Sequence, residues 1–210
     1  MKSHYQKLLQ TIFHKGECTE EGRIAMVELS QLGENALDAL LNDEQIDIKS
    51  ELHPRVYWET YYSTIYLFAK EDIDLIISRF EEGQIGWYTA YTCFEMTRCK
   101  QAENFLIEGA NAAEAMQREH AIKALAKIGG DQAEAIFFKA LCDRSIDVKG
   151  AALSAFSQNQ MYDRIDALPQ IDRILKNKII IKHRQGIIKR AERLKNRILA
   201  NKTMKDSGKN

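Results

Sequence analysis

Proline is almost missing from this 210-residue chain: only Pro54 and Pro169 occur. Proline removes a backbone donor and clashes with the preceding turn, so its scarcity leaves the chain free to run in helices. Long apolar runs are missing too. None approaches the ~18 residues that a membrane helix needs, so no membrane partner is expected. The first residues carry Lys2, His4 and Lys7 with no continuous apolar stretch after them, which is not a signal-peptide pattern. The four cysteines include no C-x-x-C pair. Cys93 and Cys99 are six apart and fall on different faces of a helix, so reduced structural thiols in a cytoplasmic protein are the expectation. The five histidines, His4, His14, His53, His120 and His183, have no metal-ligand spacing. The phosphate-cradling G-x-x-x-x-G-K-[ST] and G-x-G-x-x-G patterns are absent, as are H-E-x-x-H and G-x-S-x-G. The sequence therefore predicts no catalytic residue, no metal and no cofactor, and the protein is expected not to be an enzyme.

Net charge is also lacking, with 30 Lys and Arg against 30 Asp and Glu, but the charge is segregated. Residues 173–210 hold 13 basic and 2 acidic residues, and residues 1–172 hold 17 basic and 28 acidic ones. An acidic body carrying a basic C-terminal piece points to a charged partner.

What the chain has is a repeat. The stretch from Ala121 to Phe156 contains two amphipathic segments, Ala121 to Ile128 and Asp131 to Cys142, separated by Gly129-Gly130. After the polar turn Asp143 to Asp147 a third segment follows. A shift of thirty-one residues brings the stretch onto itself. Ala121 meets Ala90 and Ala152, Ala124 meets Cys93 and Ala155, and Leu125 meets Phe94 and Phe156. In the second segment Ala133 meets Ala102, Ile136 meets Phe105, Phe137 meets Leu106 and Ala140 meets Gly109. Small positions stay small and large apolar positions stay large, as when each helix pair packs only on its neighbours.

Leu141-Cys-Asp-Arg-Ser-Ile-Asp-Val-Lys-Gly-Ala-Ala152 resembles the turn and next-helix signature of HEAT repeats, in the short variety named after phycobilisome lyases. Leu41-Asn-Asp43 with Asp47-Ile48-Lys49 has the same spacing. The resemblance covers roughly residues 20–178. It implies an all-α fold, a right-handed α-solenoid of about five helix pairs with capping helices at both ends. Residues 1–200 then form one domain, and 201–210 are a disordered basic tail. It says little about function, because such repeats serve as scaffolds, inhibitors, lyase subunits and DNA-repair enzymes.

In chain order, Ser3-x-x-Gln6 reads as a capping box opening a first helix whose stripe is Tyr5, Leu8, Leu9, Ile12 and Phe13. Thr19 caps the second helix. The connection from Asn42 to His53 is a candidate insertion. Pro54 opens a helix with aromatics all round it, Asp166 caps one near Pro169, and the last runs from Ile179 to Ala200 on a narrow stripe of Ile180, Ile187, Ile188, Ala191, Leu194 and Ile198. Asp43, Asp47, Asp143 and Asp147 read as turn and cap residues.

Two groups of residues are candidates for binding. Tyr57, Trp58, Tyr61, Tyr62, Tyr66, Trp87, Tyr88 and Tyr91 crowd two successive first helices. One stripe cannot bury them all, and exposed Trp and Tyr favour interfaces. In HEAT-type solenoids the second helices line the concave face, and by that resemblance Glu34, Asp38, Glu71, Asp72, Asp74, Glu103, Glu108 and Glu134 offer it carboxylates. The predicted protein-binding set is Trp58, Tyr62, Glu71, Asp72, Asp74, Trp87, Tyr88, Glu103 and Glu108. The partner it suits is a basic protein. In size and charge the chain resembles bacterial immunity proteins that neutralise a cognate toxin. The alternative is a nucleic-acid grip through Lys189, Arg190, Arg193 and Arg197, as in HEAT-like DNA glycosylases, or a bilin lyase or chaperone subunit.

Overall fold

The computed structural model describes residues 4–42, 54–130, 132–177, 180, 182 and 184–207. Among these the chain is all-α: twelve α-helices, two single 3₁₀ turns and no strand. The candidate insertion over 43–53, the Ser3 cap, Asp43 and Asp47 lie outside the described residues. No described helix is long and apolar enough to cross a membrane.

The chain divides into two compact units, Met1–Thr97 and Arg98–Asn210. The first contains α1 (His4–Lys15), α2 (Glu20–Gln31), α3 (Glu34–Leu41), α4 (Pro54–Glu71), α5 (Ile73–Glu81) and α6 (Trp87–Thr97). Here α1 packs on α2, α3 and α4, and α4 packs on α2, α5 and α6. Leu8, Leu9, Ile12 and Phe13 of α1 are buried, as their spacing predicts.

Thr19 caps α2, its Oγ1 accepting from the Gly22 N–H at 3.0 Å. This closes a tight corner. Gly16 turns the chain at φ 71°, and a Cβ on Gly22 would overlap the Gly16 carbonyl. Ala is the better helix former by about 0.5–1 kcal/mol, but backbone cannot yield as a flexible side chain does. Gly22→Ala is therefore expected to lower stability by about 1–3 kcal/mol, the usual cost of overpacking, read as a lower denaturant midpoint at unchanged m.

The second unit contains α7 (Glu103–Ala110), α8 (Ala115–Ile128), α9 (Ala133–Leu141), α10 (Ile146–Gln158), α11 (Leu168–Lys176) and α12 (Gln185–Ser207). α8 packs on α7, α9 and α10, while α12 closes over α10 and α11. Residues thirty-one apart share the same burial. Ala90, Ala121 and Ala152 are buried, as are Cys93, Ala124 and Ala155, and Phe94, Leu125 and Phe156. In the second helices Ala102 and Ala133, Leu106 and Phe137, and Gly109 and Ala140 are buried, with Phe105 and Ile136 half-buried. Burial pushes the Cys93 thiol up to about 12, so it stays protonated and inert.

Three local expectations are corrected. α8 begins at Ala115, six residues before Ala121, so its first turns are polar and depend on tertiary packing. Asp166 does not cap α11; it sits in the 3₁₀ turn Ile165–Ala167 and accepts two hydrogen bonds from Arg164. The last helix does not stop at Ala200: residues 201–207 continue α12 as regular helix. Its buried stripe is Ile187, Ala191, Leu194 and Ile198 as expected, with Ile180 buried and Ile188 half-buried.

Candidate protein-binding site

α4 decides which aromatics are core and which are surface. Its neighbours α1, α2, α5 and α6 cover Tyr57, Thr60, Thr64, Ile65, Phe68 and Ala69. Tyr57 stacks on Phe13 with ring centroids 5.0 Å apart. Trp58, one residue on and 100° round the helix, is left 49% exposed. From Trp58 a run of ring contacts crosses the surface. Trp58 stacks on Tyr62 at 5.9 Å, Tyr62 meets Tyr88 of α6 at 5.5 Å, and Tyr88 meets Trp87 at 5.9 Å. Tyr88 is exposed, Tyr62 and Trp87 are half-buried, and Tyr91 carries the run into the core beside Phe80 and Phe94. The four aromatics predicted as anchors thus form one ladder across α4 and α6. Partial burial pushes the Tyr62 phenol up, and Tyr88 adds to the rise, so Tyr62 meets a partner as a neutral amphipathic group.

One turn beyond Tyr62, Tyr66 lines an open cleft between α2 and α4 of about 280 Å³, with Met26, Val27 and Leu67 as its apolar wall. Glu17 and Arg23 stand at this cleft, and Ser63 donates a hydrogen bond to Glu17. The cleft was not predicted. Its sequence signal was Ile24 and Val27, two apolar residues of α2 that fall off the Ala25, Met26 and Leu29 stripe and stay exposed.

The carboxylates are more dispersed than expected. Glu71, Asp72, Asp74 and Glu108 are exposed. Asp72 is also the N-cap of α5, accepting from the Asp74 and Leu75 N–H groups. Glu71 lies thirteen residues past Trp58 on α4, about 20 Å along the helix, so the acidic group and the ladder are separate patches. Glu34, which is exposed, and Asp38, half-buried, are tied within the fold. Both bind the guanidinium of the buried Arg79, which Glu82 also contacts. Glu103 is half-buried and accepts the Gln132 N–H at 3.4 Å, beside Gly130, where a Cβ would meet its carboxylate. Glu134 pairs with Arg164. Five of the eight expected carboxylates, Asp72 included, are thus engaged within the fold.

The basic helix divides in the same way. Arg190 donates to the Ser154 hydroxyl at 2.9 Å, and Arg197 lies over the Tyr162 ring and hydrogen-bonds its hydroxyl. Lys195 pairs with Asp172 at 2.7 Å. Lys189 and Arg193 are exposed, with no partner among the described residues. All four of the cations expected to grip nucleic acid are thus exposed, and two of them, Arg190 and Arg197, also bind within the fold.

Asp143 fulfils its turn role by accepting the Ser145 N–H at 2.7 Å, and it also holds Arg118 in a two-pronged pair at 2.8 Å. No cluster of three or more His, Cys, Asp or Glu side chains able to hold a metal gathers among the described residues. The aromatic ladder offers contact area and anchors at the surface of α4 and α6. Compared with protein-family models and with curated proteins, the chain matches none.

Proposed function

We propose that this chain is a non-enzymatic protein-binding module, built from about five HEAT-like helix pairs in a right-handed solenoid. Its aromatic ladder on α4 and α6 takes a basic protein. The equal burial of residues thirty-one apart supports the repeat architecture. The observation that carries the binding reading is the ladder itself: Trp58, Tyr62, Tyr88 and Trp87 in successive ring contact, with Trp58 and Tyr88 exposed. The basic character of the partner follows from the charge of the unit that bears the ladder. Residues 1–97 hold 8 Lys and Arg against 17 Asp and Glu. Aromatic faces supply short-range anchoring and cation–π sites, and the net negative field supplies encounter. The form we favour is an immunity protein that neutralises a cognate basic toxin.

The test is capture of the partner from the source cell by the tagged protein, followed by kinetics on the purified pair. Trp58→Ala is expected to weaken binding by about 2 kcal/mol or more, roughly thirtyfold, almost wholly through faster dissociation. Reversing Glu71 and Asp74 to Lys is expected to slow association and to flatten its dependence on salt, leaving dissociation nearly unchanged. Asp72 is excluded from that pair because removing the α5 cap costs about 1 kcal/mol of stability by itself. Retention of DNA or RNA near physiological salt that disappears in Lys189→Ala/Arg193→Ala, with no protein recovered, would replace this reading by the nucleic-acid one.

A further inference from the structure

The charge of the chain is split between its two units. Residues 1–97 carry 8 basic and 17 acidic residues, and residues 98–210 carry 22 basic and 13 acidic ones, so the units bear −9 and +9. Neutrality of the whole chain therefore hides two surfaces of opposite sign. Each also presents exposed contact chemistry. On the acidic unit it is the ladder of Trp58, Tyr62 and Tyr88. On the basic unit it is the outward stripe of α12, opposite the buried Ile187, Ala191, Leu194 and Ile198. At 100° per residue that outward side carries Lys189, Arg193, Asn196 and Ala200, with Glu192 at one margin and Met204 at the other. All six are exposed, and Met204 is the most exposed large apolar side chain among the described residues, at 66%.

These two surfaces match in kind. Lysine and arginine bind the faces of Trp and Tyr through cation–π attraction, and a methionine sulfur favours the same rings. The stripe from Lys189 to Met204 spans fifteen residues, about 22 Å of helix. The ladder crosses three consecutive ring contacts of 5.9, 5.5 and 5.9 Å. We propose that a second copy of this chain is a ligand of the aromatic face, the outward stripe of α12 of one molecule lying across the Trp58–Tyr62–Tyr88 ladder of the next. The contact joins two different surfaces, so each copy keeps one of each free, and association is head to tail and open-ended unless it closes into a ring. This rests on the aromatic face being a docking surface for basic protein, and names one such protein.

Sedimentation velocity of the full-length protein at low and at physiological salt tests it. The expected result is a mass above one chain that rises with concentration and falls as salt screens the opposite charges. Lys189→Glu/Arg193→Glu is expected to weaken association at least tenfold. Both residues are exposed and bind nothing among the described residues, so circular dichroism should be unchanged. Trp58→Ala should weaken it similarly. The deciding measurement is the equimolar mixture of these two variants. Each retains the surface the other lacks, so the mixture should form a dimer and nothing larger. A wild-type protein that stays monomeric at both salts overturns the proposal, as does a mixture that stays monomeric while the wild type associates. A lysine-rich foreign peptide, read by tryptophan fluorescence and compared with Trp58→Ala, separates the two readings. If the wild type is monomeric but the peptide still binds through Trp58, self-association fails and the docking surface stands. If neither occurs, both fall.

Discussion

Arg118→Met is expected to cost about 3–5 kcal/mol, the usual penalty for removing one partner of a buried ion pair. Arg118 lies in the first turns of α8 and is 6% exposed. Its Nε and one terminal nitrogen donate to the two oxygens of Asp143, both at 2.8 Å. The other terminal nitrogen donates to the carbonyls of Ala112 and Ala113 at 2.9 and 2.7 Å. One side chain thus ties the turn before α8 to the turn before α10. Methionine fills similar volume but leaves the largely buried carboxylate with the Ser145 N–H and without its charged partner, and takes one donor from each of two carbonyls. The deficit should depend on pH in a defined direction. Burial by itself pushes the Asp143 carboxyl up. The Arg118 hydrogen bonds, the Ser145 N–H and the charges of Arg118 and Lys149 outweigh it and hold the carboxyl below its ordinary range. A folded-state pKa below the unfolded value of about 3.9 contributes stability above that pH and loses it as pH falls through the folded value. In Arg118→Met burial goes unopposed by the guanidinium, and the Asp143 carboxyl rises. The gap between wild type and variant should therefore be widest at neutral pH and narrow in acid, measured by urea unfolding over the acid range. A gap independent of pH would show that the loss is one of packing alone. Arg118→Met combined with Asp143→Leu should recover part of the loss, because the stranded charge is then gone.

Leu125→Ala is expected to lower stability by about 2–5 kcal/mol. Leu125 is fully buried in α8, which packs on α7, α9 and α10, and it occupies the large position shared with Phe94 and Phe156. Truncation removes its apolar burial and leaves a cavity walled by helices that cannot easily close. The fall should appear in the denaturant midpoint with m unchanged, since the folded state loses contacts and not compactness. A loss below about 1 kcal/mol would place Leu125 outside the packed column.

The helices, and the columns of small and large residues thirty-one apart, were legible in the sequence because both are periodic. A helix repeats its buried face every three or four residues, and that face must be apolar wherever a neighbour lies. The Thr19 cap was legible for a similar reason, being a bond to an N–H only three residues away. Partners distant in sequence were not legible. Arg79 binds Asp38 and Glu34, 41 and 45 residues back, and Arg118 binds Asp143, 25 residues on. A list of charges shows how many carboxylates the chain has but not which of them meet a guanidinium, because Coulomb attraction acts through space. That is why five of the eight expected carboxylates proved to be engaged within the fold. The aromatic band shows the same division. Its composition required that some rings be exposed, but the packing of α1 on α4 buried Tyr57 and left Trp58 open. Residues 201–207 are polar enough to read as a tail. Helix propagation adds a backbone hydrogen bond for each residue fixed, and α12, already nucleated and held by Ile187, Ala191, Leu194 and Ile198, carries them on to Ser207. Composition and period determined the helices and the residues that face inward. The packing of one helix on another decided which charges are cancelled and which rings remain for a partner.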